Sequence, residues 1–175
     1  MSDDLLERRE GAVLTLTINR AERRNAMSPA VIQGLCAALR RSREDESLRA
    51  IVLTAVGDQA FCAGADLATG KSFSFDYAEP RLPMPELFRV ARDTNVPIVG
   101  RINGTCMAGG MGLLAICDLA IAADHALFGL PEVKVGVYPM QVLAVLQHLV
   151  PRRHLMELCL TGDPVDARTA REGGV

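Results

Sequence analysis

Ten residues near the middle of the chain, Asn103-Gly104-Thr105-Cys106-Met107-Ala108-Gly109-Gly110-Met111-Gly112, have the composition of a ligand-facing turn. A β-branched run, Pro97 to Ile102, precedes them and an apolar run, Leu113 to Cys117, follows. The local pattern is therefore strand, glycine-rich turn, helix. Glycines remove Cβ atoms where a ligand approaches the backbone, and free N–H groups at a helix start favour negative charge. The phosphate-loop pattern, which ends in Lys followed by Ser or Thr, is absent, and so is G-x-G-x-x-G. A second small-residue stretch, Ala60-Phe61-Cys62-Ala63-Gly64-Ala65-Asp66-Leu67, follows the strand-like run Ala50 to Val56. Two such loops, each leaving a strand, can aim one N–H apiece at a single oxygen, which is what an oxyanion hole requires. Tight helix–sheet packing is the other use of these glycines, and it stays open. Glu132, in Gly129-Leu130-Pro131-Glu132, follows an apolar strand and a proline-fixed turn. Held near a cleft and partly desolvated, its carboxylate would have its pKa raised toward the range useful for proton transfer.

Three blocks, FCAGADL at 61–67, NGTCMAGGMGLLAICDLAIA at 103–122 and FGLPEVKVGVYP at 128–139, resemble the enoyl-CoA hydratase/isomerase (crotonase) family. With the segment NRAERRNAMS at 19–28 they span most of the chain in that family's order and spacing. The resemblance implies an acyl thioester whose carbonyl oxygen sits between the amides of Ala65 and Gly109, with Glu132 as general acid/base. It implies that Arg24 and Ala26 contact coenzyme A, and that Ala63, Asp66 and Leu67 curve around its adenine and pantetheine. Met107, Gly112 and Pro131 complete the expected substrate-binding set. Coenzyme A enters as part of the substrate, and no separate cofactor or metal is expected.

At Gly112 the chain departs from the two-glutamate hydratases it resembles, which carry a carboxylate there. Hydration places water on one face and a proton on the neighbouring carbon, a task commonly shared by two carboxylates. Moving a double bond needs one base that takes a proton from one carbon and returns it to another. Glu132 alone suits isomerisation, and Gly112→Glu is expected to add hydration. Asp66, the other acidic loop residue, is expected to turn outward. Two alternatives stand beside the isomerase: a hydratase using one glutamate, and a non-catalytic acyl-CoA-binding or assembly subunit.

The elements that must position these groups are legible in part. Leu5–Glu10 and Ala12–Asn19 read as strands joined at Gly11, the second alternating Thr15 and Thr17 with Leu14, Leu16 and Ile18. Ser28-Pro29 supplies an N-cap and first-turn proline for a helix to about Arg43, with Val31, Ile32, Leu35, Ala38 and Leu39 on one face. Strands are expected at 50–56, 97–102, 118–123 and 126–128, and helices at 86–94, 113–117, 139–150, 152–160 and within 163–173. Residues 68–83 read as a mobile loop or short helix over the site. Crossover helices between strands predict one α/β domain spanning 1–175. The resemblance sharpens this to a crotonase-like spiral of stacked β-β-α repeats. It also predicts that the chain, ending at Val175, lacks the family's C-terminal helices, which help bind the nucleotide and build the trimer. A homotrimer or dimer of trimers is expected if that part is present.

Composition excludes several classes. The 175 residues, 49% hydrophobic and 23% charged, suit a globular domain with a substantial core. A net charge of −2 gives no basic field for nucleic acid or an anionic membrane, and 4% aromatics without Trp argue against base stacking. No apolar run reaches membrane-span length and the acidic start is no signal peptide, so a cytoplasmic location is expected. Cys36, Cys62, Cys106, Cys117 and Cys159 show no metal or redox spacing and read as reduced apolar fillers, Cys62 and Cys106 being the candidates for a reactive thiol. His125, His148 and His154 form no ligand cluster.

Overall fold

Strand β1 (Leu5–Glu10) turns back through Gly11, at φ 56, into β2 (Val13–Ile18), with Leu5 opposite Ile18 and Glu10 opposite Val13. The computed structural model describes residues 3–66 and 82–175. The expected loop over 68–83 therefore lies outside the described residues, apart from its last two. Helix α1 (Pro29–Ser42) begins where the Ser28 side chain accepts a hydrogen bond from the Val31 N–H at 3.2 Å. Such a cap is worth about 1 kcal/mol. The face expected to be apolar, Val31, Ile32, Leu35, Ala38 and Leu39, is buried. The arginines at its other end lie at the surface, Arg41 paired with Glu7 and Arg40 with Glu86.

From β3 (Ala50–Ala55) onward the chain repeats one unit. A strand of the main sheet passes through a short turn into a strand of a second sheet, and a helical segment follows. The first unit is β3, β4 (Ala60–Cys62) and α2 (Pro83–Arg92). The second is β5 (Ile98–Ile102), β6 (Thr105–Met107) and α3 (Gly109–Ala115). The third is β7 (Leu119–Ala122), β8 (Leu127–Gly129) and a 3-10 turn at Pro131–Val135. Helices α4 (Met140–Leu146) and α5 (Arg152–Thr161) follow, then β9 (Val165–Asp166) and α6 (Ala167–Glu172). The main sheet runs β1-β2-β3-β5-β7, parallel from β2 onward, and the second runs β4-β6-β8-β9 with only β9 antiparallel. This is the stacked β-β-α spiral.

Sequence patterning did not expose β4, β6 or β9. They span two or three residues each, too short for an alternation to register, and β4 and β6 lie inside stretches that read as small-residue loops. The expected helix over 139–150 stops at Leu146, after which the amides of His148 and Leu149 bond three residues back and tighten the chain into turns.

Two turns cross where the units change sheets. Asn103 Nδ2 donates to the Gly57 carbonyl at 2.6 Å, tying the β5–β6 turn to the β3–β4 turn. At Gly104 the two backbones meet: a Cβ there would lie 2.6 Å from the Gln59 carbonyl carbon and 2.7 Å from the Ala60 nitrogen. Backbone cannot yield as a flexible side chain does. Gly104→Ala is therefore expected to lower unfolding free energy by about 1–3 kcal/mol. A chemical-denaturation midpoint unchanged from wild type would contradict this.

Candidate active site

Three adjacent parallel strands, β4, β6 and β8, end side by side in the second sheet. The loops leaving their C-terminal ends hold Ala65, Gly109 and Glu132, each two or three residues past its strand. Ligands in α/β sheets settle at such carboxyl ends, where outgoing loops can converge.

Met27 fixes the first loop. Its N–H donates to the Gly64 carbonyl at 2.8 Å, and its carbonyl accepts from the Asp66 N–H at 3.0 Å. The residues on both sides of Ala65 are thus tied down. Among the described residues neither the Ala65 nor the Gly109 N–H has a hydrogen-bond partner. The two loops touch through backbone. Gly64 sits at φ 107, and a Cβ on it would lie 2.9 Å from the Ala108 Cβ and 3.5 Å from the Gly109 nitrogen. A Cβ on Gly109 would lie 3.5 Å from the Ala65 nitrogen and 2.6 Å from the Met27 methyl. Two unpaired donors this close can share one acceptor oxygen, as stabilisation of a developing oxyanion requires. The packing use of these glycines is real as well, and it is what brings the amides together.

Strain concentrates here. Among the described residues the non-glycine residues at positive φ are Arg24, Asn25 and Ala108. Ala108, at φ 52 and ψ −121, precedes the Gly109 amide and is clamped on both sides. Its N–H donates to the Gly129 carbonyl at 3.0 Å and its carbonyl accepts from Met111 at 2.9 Å. Backbone held in such sparsely populated regions clusters at functional sites because the surroundings must enforce it.

Glu132 lies in the first turn of the 3-10 segment behind half-buried Pro131, and is itself half-buried. Its Oε2 is buried without a hydrogen-bond partner among the described residues. Burial pushes the carboxyl pKa up, offset in part by a hydrogen bond from its own backbone N–H. A half-buried carboxyl with one oxygen left unbonded is a candidate proton carrier.

Arg20 and Asn25 hold the rim, and neither was singled out in the sequence. Asn25 is buried: its Oδ1 accepts from the Arg20 N–H at 2.9 Å, and its Nδ2 donates to the carbonyls of Val56 at 3.0 Å and Ala60 at 2.7 Å. The Arg20 guanidinium donates to the Ala26 carbonyl and pairs with Asp66 at 2.8 Å and Asp4 at 3.3 Å. Asp66, expected to turn outward, instead points in, with its side chain 14% exposed. The guanidinium offers it a charge-assisted bond that solvent cannot better at this depth. The Ala63 N–H donates to the Arg24 carbonyl at 3.1 Å, so Arg24, Ala26, Ala63 and Asp66 do come together. The Arg24 side chain is exposed and unpaired among the described residues. Leu67 lies outside them.

Half-buried Met107 ends β6, and a Cβ on Gly129 would lie 3.1 Å from its sulfur. Gly112 is buried inside α3, and a Cβ there would lie 2.8 Å from Phe88 Cζ and 3.3 Å from the Met84 methyl. The expected Gly112→Glu change therefore meets a packing constraint: the side chains of Phe88 and Met84 on α2 border the space a side chain there would enter. Cys62 and Cys106 are fully buried, and burial pushes the Cys62 thiol up to about 12 and Cys106 well above its ordinary value. Both are fillers, not nucleophiles. Among the described residues no helix is long and apolar enough to cross a membrane.

Comparison with known proteins bears directly on this geometry. The sequence profile described as enoyl-CoA hydratase/isomerase matches residues 8–175. The rat mitochondrial protein named enoyl-CoA hydratase domain-containing protein 3 is 32% identical over 170 residues, covering 96% of this chain and 56% of its own. The chain thus spans little more than half the length of that relative. The structure of an enoyl-CoA hydratase from Mycobacterium smegmatis superposes with a TM-score of 0.91 at 34% identity, covering 99% of this chain and 68% of that one. AtuE from Pseudomonas aeruginosa gives a TM-score of 0.90 at 34% identity, covering 98% and 68%.

The raised pKa of Glu132 makes it a stability liability at neutral pH. Unfolded, it titrates near 4.3; between that value and its higher folded pKa the folded chain binds more protons, so stability falls as pH rises through the window. Glu132→Gln removes this loss. The variant is expected to melt above wild type at pH 7 and level with it at pH 4. A variant less stable than wild type at neutral pH would contradict the desolvated carboxylate.

Proposed function

The chain belongs to the enoyl-CoA hydratase/isomerase family, and from that premise we propose that it moves a double bond in an acyl-CoA thioester. The carbonyl oxygen of a 3-enoyl thioester accepts hydrogen bonds from Ala65 and Gly109. Polarised in this way, C2 gives a proton to the Glu132 carboxylate, and the electron pair moves into an enolate held by the two amides. The same carboxyl returns that proton to C4 as the double bond settles between C2 and C3, leaving a 2-enoyl thioester and the starting enzyme. Backbone donors suit the step because they need no reorganisation as charge develops. Arg24 at the rim, exposed and unpaired among the described residues, pairs with a phosphate of coenzyme A.

The single observation that carries this reading is the buried Glu132 Oε2, without a hydrogen-bond partner among the described residues, in the loop that leaves β8 next to the strand whose loop carries Gly109. One proton carrier completes an isomerisation, whereas hydration also needs a group to hold water. Asp66 is committed to Arg20 and makes a poor candidate. A one-glutamate hydratase is the second reading, favoured by the names of the rat and mycobacterial relatives. A non-catalytic acyl-CoA-binding subunit keeps the amides but gives Glu132 no task. Exposed Leu119 and Ile121 leave an apolar edge on strand β7 that a further segment or a second copy could cover, and a homotrimer or dimer of trimers is proposed if the C-terminal part is present.

Glu132→Gln is expected to lower isomerase turnover on 3-enoyl-CoA by at least roughly a hundredfold, the usual scale of general acid–base catalysis. Near-normal turnover would remove Glu132 from the mechanism. With 2-enoyl-CoA in heavy-oxygen water, wild type is expected to form essentially no labelled 3-hydroxy product. Strong labelling would favour the hydratase.

A further inference from the structure

Helix α2 presents Met84 and Phe88, one turn apart, to the buried face of α3 at Gly112. A Cβ at position 112 would meet Phe88 Cζ at 2.8 Å, Phe88 Cε1 at 3.1 Å and Met84 Cε at 3.3 Å. A glutamate carries three more heavy atoms toward its first carboxylate oxygen, so the ring would have to shift to admit it. Met84, Leu87, Phe88, Val90 and Ala91 of α2 are all buried in the core, so a displaced ring must repack among them. Met84 is a thioether chain that can bend aside, whereas the Phe88 ring is rigid and turns only about two bonds.

We infer that Phe88 is a specificity-determining residue, acting through Gly112: its ring takes the volume that a second carboxylate and its water would need, leaving Glu132 to work alone. The inference rests on Glu132 as proton carrier. It goes further by tying the choice of reaction to a helix–helix packing pair, large on α2 and small on α3. Gly112 is then no neutral loss of a catalytic group but half of a matched pair, and reversing one half without the other is frustrated.

The test is a double-mutant cycle on the whole chain with Gly112→Glu, Phe88→Ala and the pair combined, and Phe88→Leu with Gly112→Asp as a milder second cycle. Gly112→Glu alone is expected to melt several degrees below wild type and to give no labelled 3-hydroxy product from 2-enoyl-CoA in heavy-oxygen water. The combined variant is expected to melt higher than the two single losses added together predict, and to give at least tenfold more label than Gly112→Glu. Additive losses in both cycles, or a Gly112→Glu protein as stable as wild type, overturn the packing pair. Coupled stabilities without any gain of label overturn the role of Phe88 in choosing the reaction. Isomerase turnover of wild type is measured in parallel: its absence defeats the reading of Glu132, while additive stabilities defeat the Phe88–Gly112 pairing alone.

Discussion

The site depends on one close approach, between the backbone at Gly64-Ala65 and the backbone at Ala108-Gly109. It is possible only because Gly64 accepts φ 107 and Gly109 has no side chain to strike the Met27 methyl. Met27 bonds to the residues on either side of Ala65, and Gly129 holds the Ala108 N–H from the third strand. Strands β4, β6 and β8 of the second sheet therefore each contribute to the placing of one pair of amides. The spiral fold supplies this because it ends three parallel strands at the same level and sends a loop from each. Donors fixed by backbone in this way do not relax when charge appears, which is why preorganised amides outperform mobile ones.

Glu132 illustrates the opposite treatment of a polar group. Asp66, in the loop after β4, is given a guanidinium, while Glu132, after β8, is left with a buried oxygen that has no hydrogen-bond partner among the described residues. The same chain thus keeps one carboxylate paired and holds another back from ionising. Burial of a carboxylate without a partner is unfavourable to stability, and its retention here points to chemistry, since packing alone would be better served by an apolar residue.

Much of this was legible in the sequence, and the limits have physical causes. The hairpin around Gly11, the capped helix from Pro29 and the main-sheet strands emerged from period and capping because they are long enough to show a period. The two small-residue loops and Glu132 stood out by residue type. Of the second sheet only the strand near 126–128 was expected; β4, β6 and β9 did not show, because they are two or three residues long and β4 and β6 lie inside stretches that read as loops. Arg20 and Asn25 escaped notice because a polar loop reads as surface, and nothing local reveals that Asn25 is buried with both ends of its amide engaged. The pairing of Phe88 with Gly112 joins α2 to α3 across 24 positions of sequence, and only the fold brings them into contact. Asp66 was misjudged for the same reason: its partner, Arg20, is 46 residues away.

The claim on which the rest turns is that the Ala65 and Gly109 amides act together on one carbonyl oxygen. Difference infrared spectroscopy of a thioester carrying carbon-13 at its carbonyl, free and bound to the protein, tests it most directly. Two fixed N–H donors on one oxygen should weaken the carbonyl bond beyond the effect of water, so the labelled band should move to lower frequency on binding. A bound carbonyl at the same frequency as in water, or higher, would show that the amides do not converge on it.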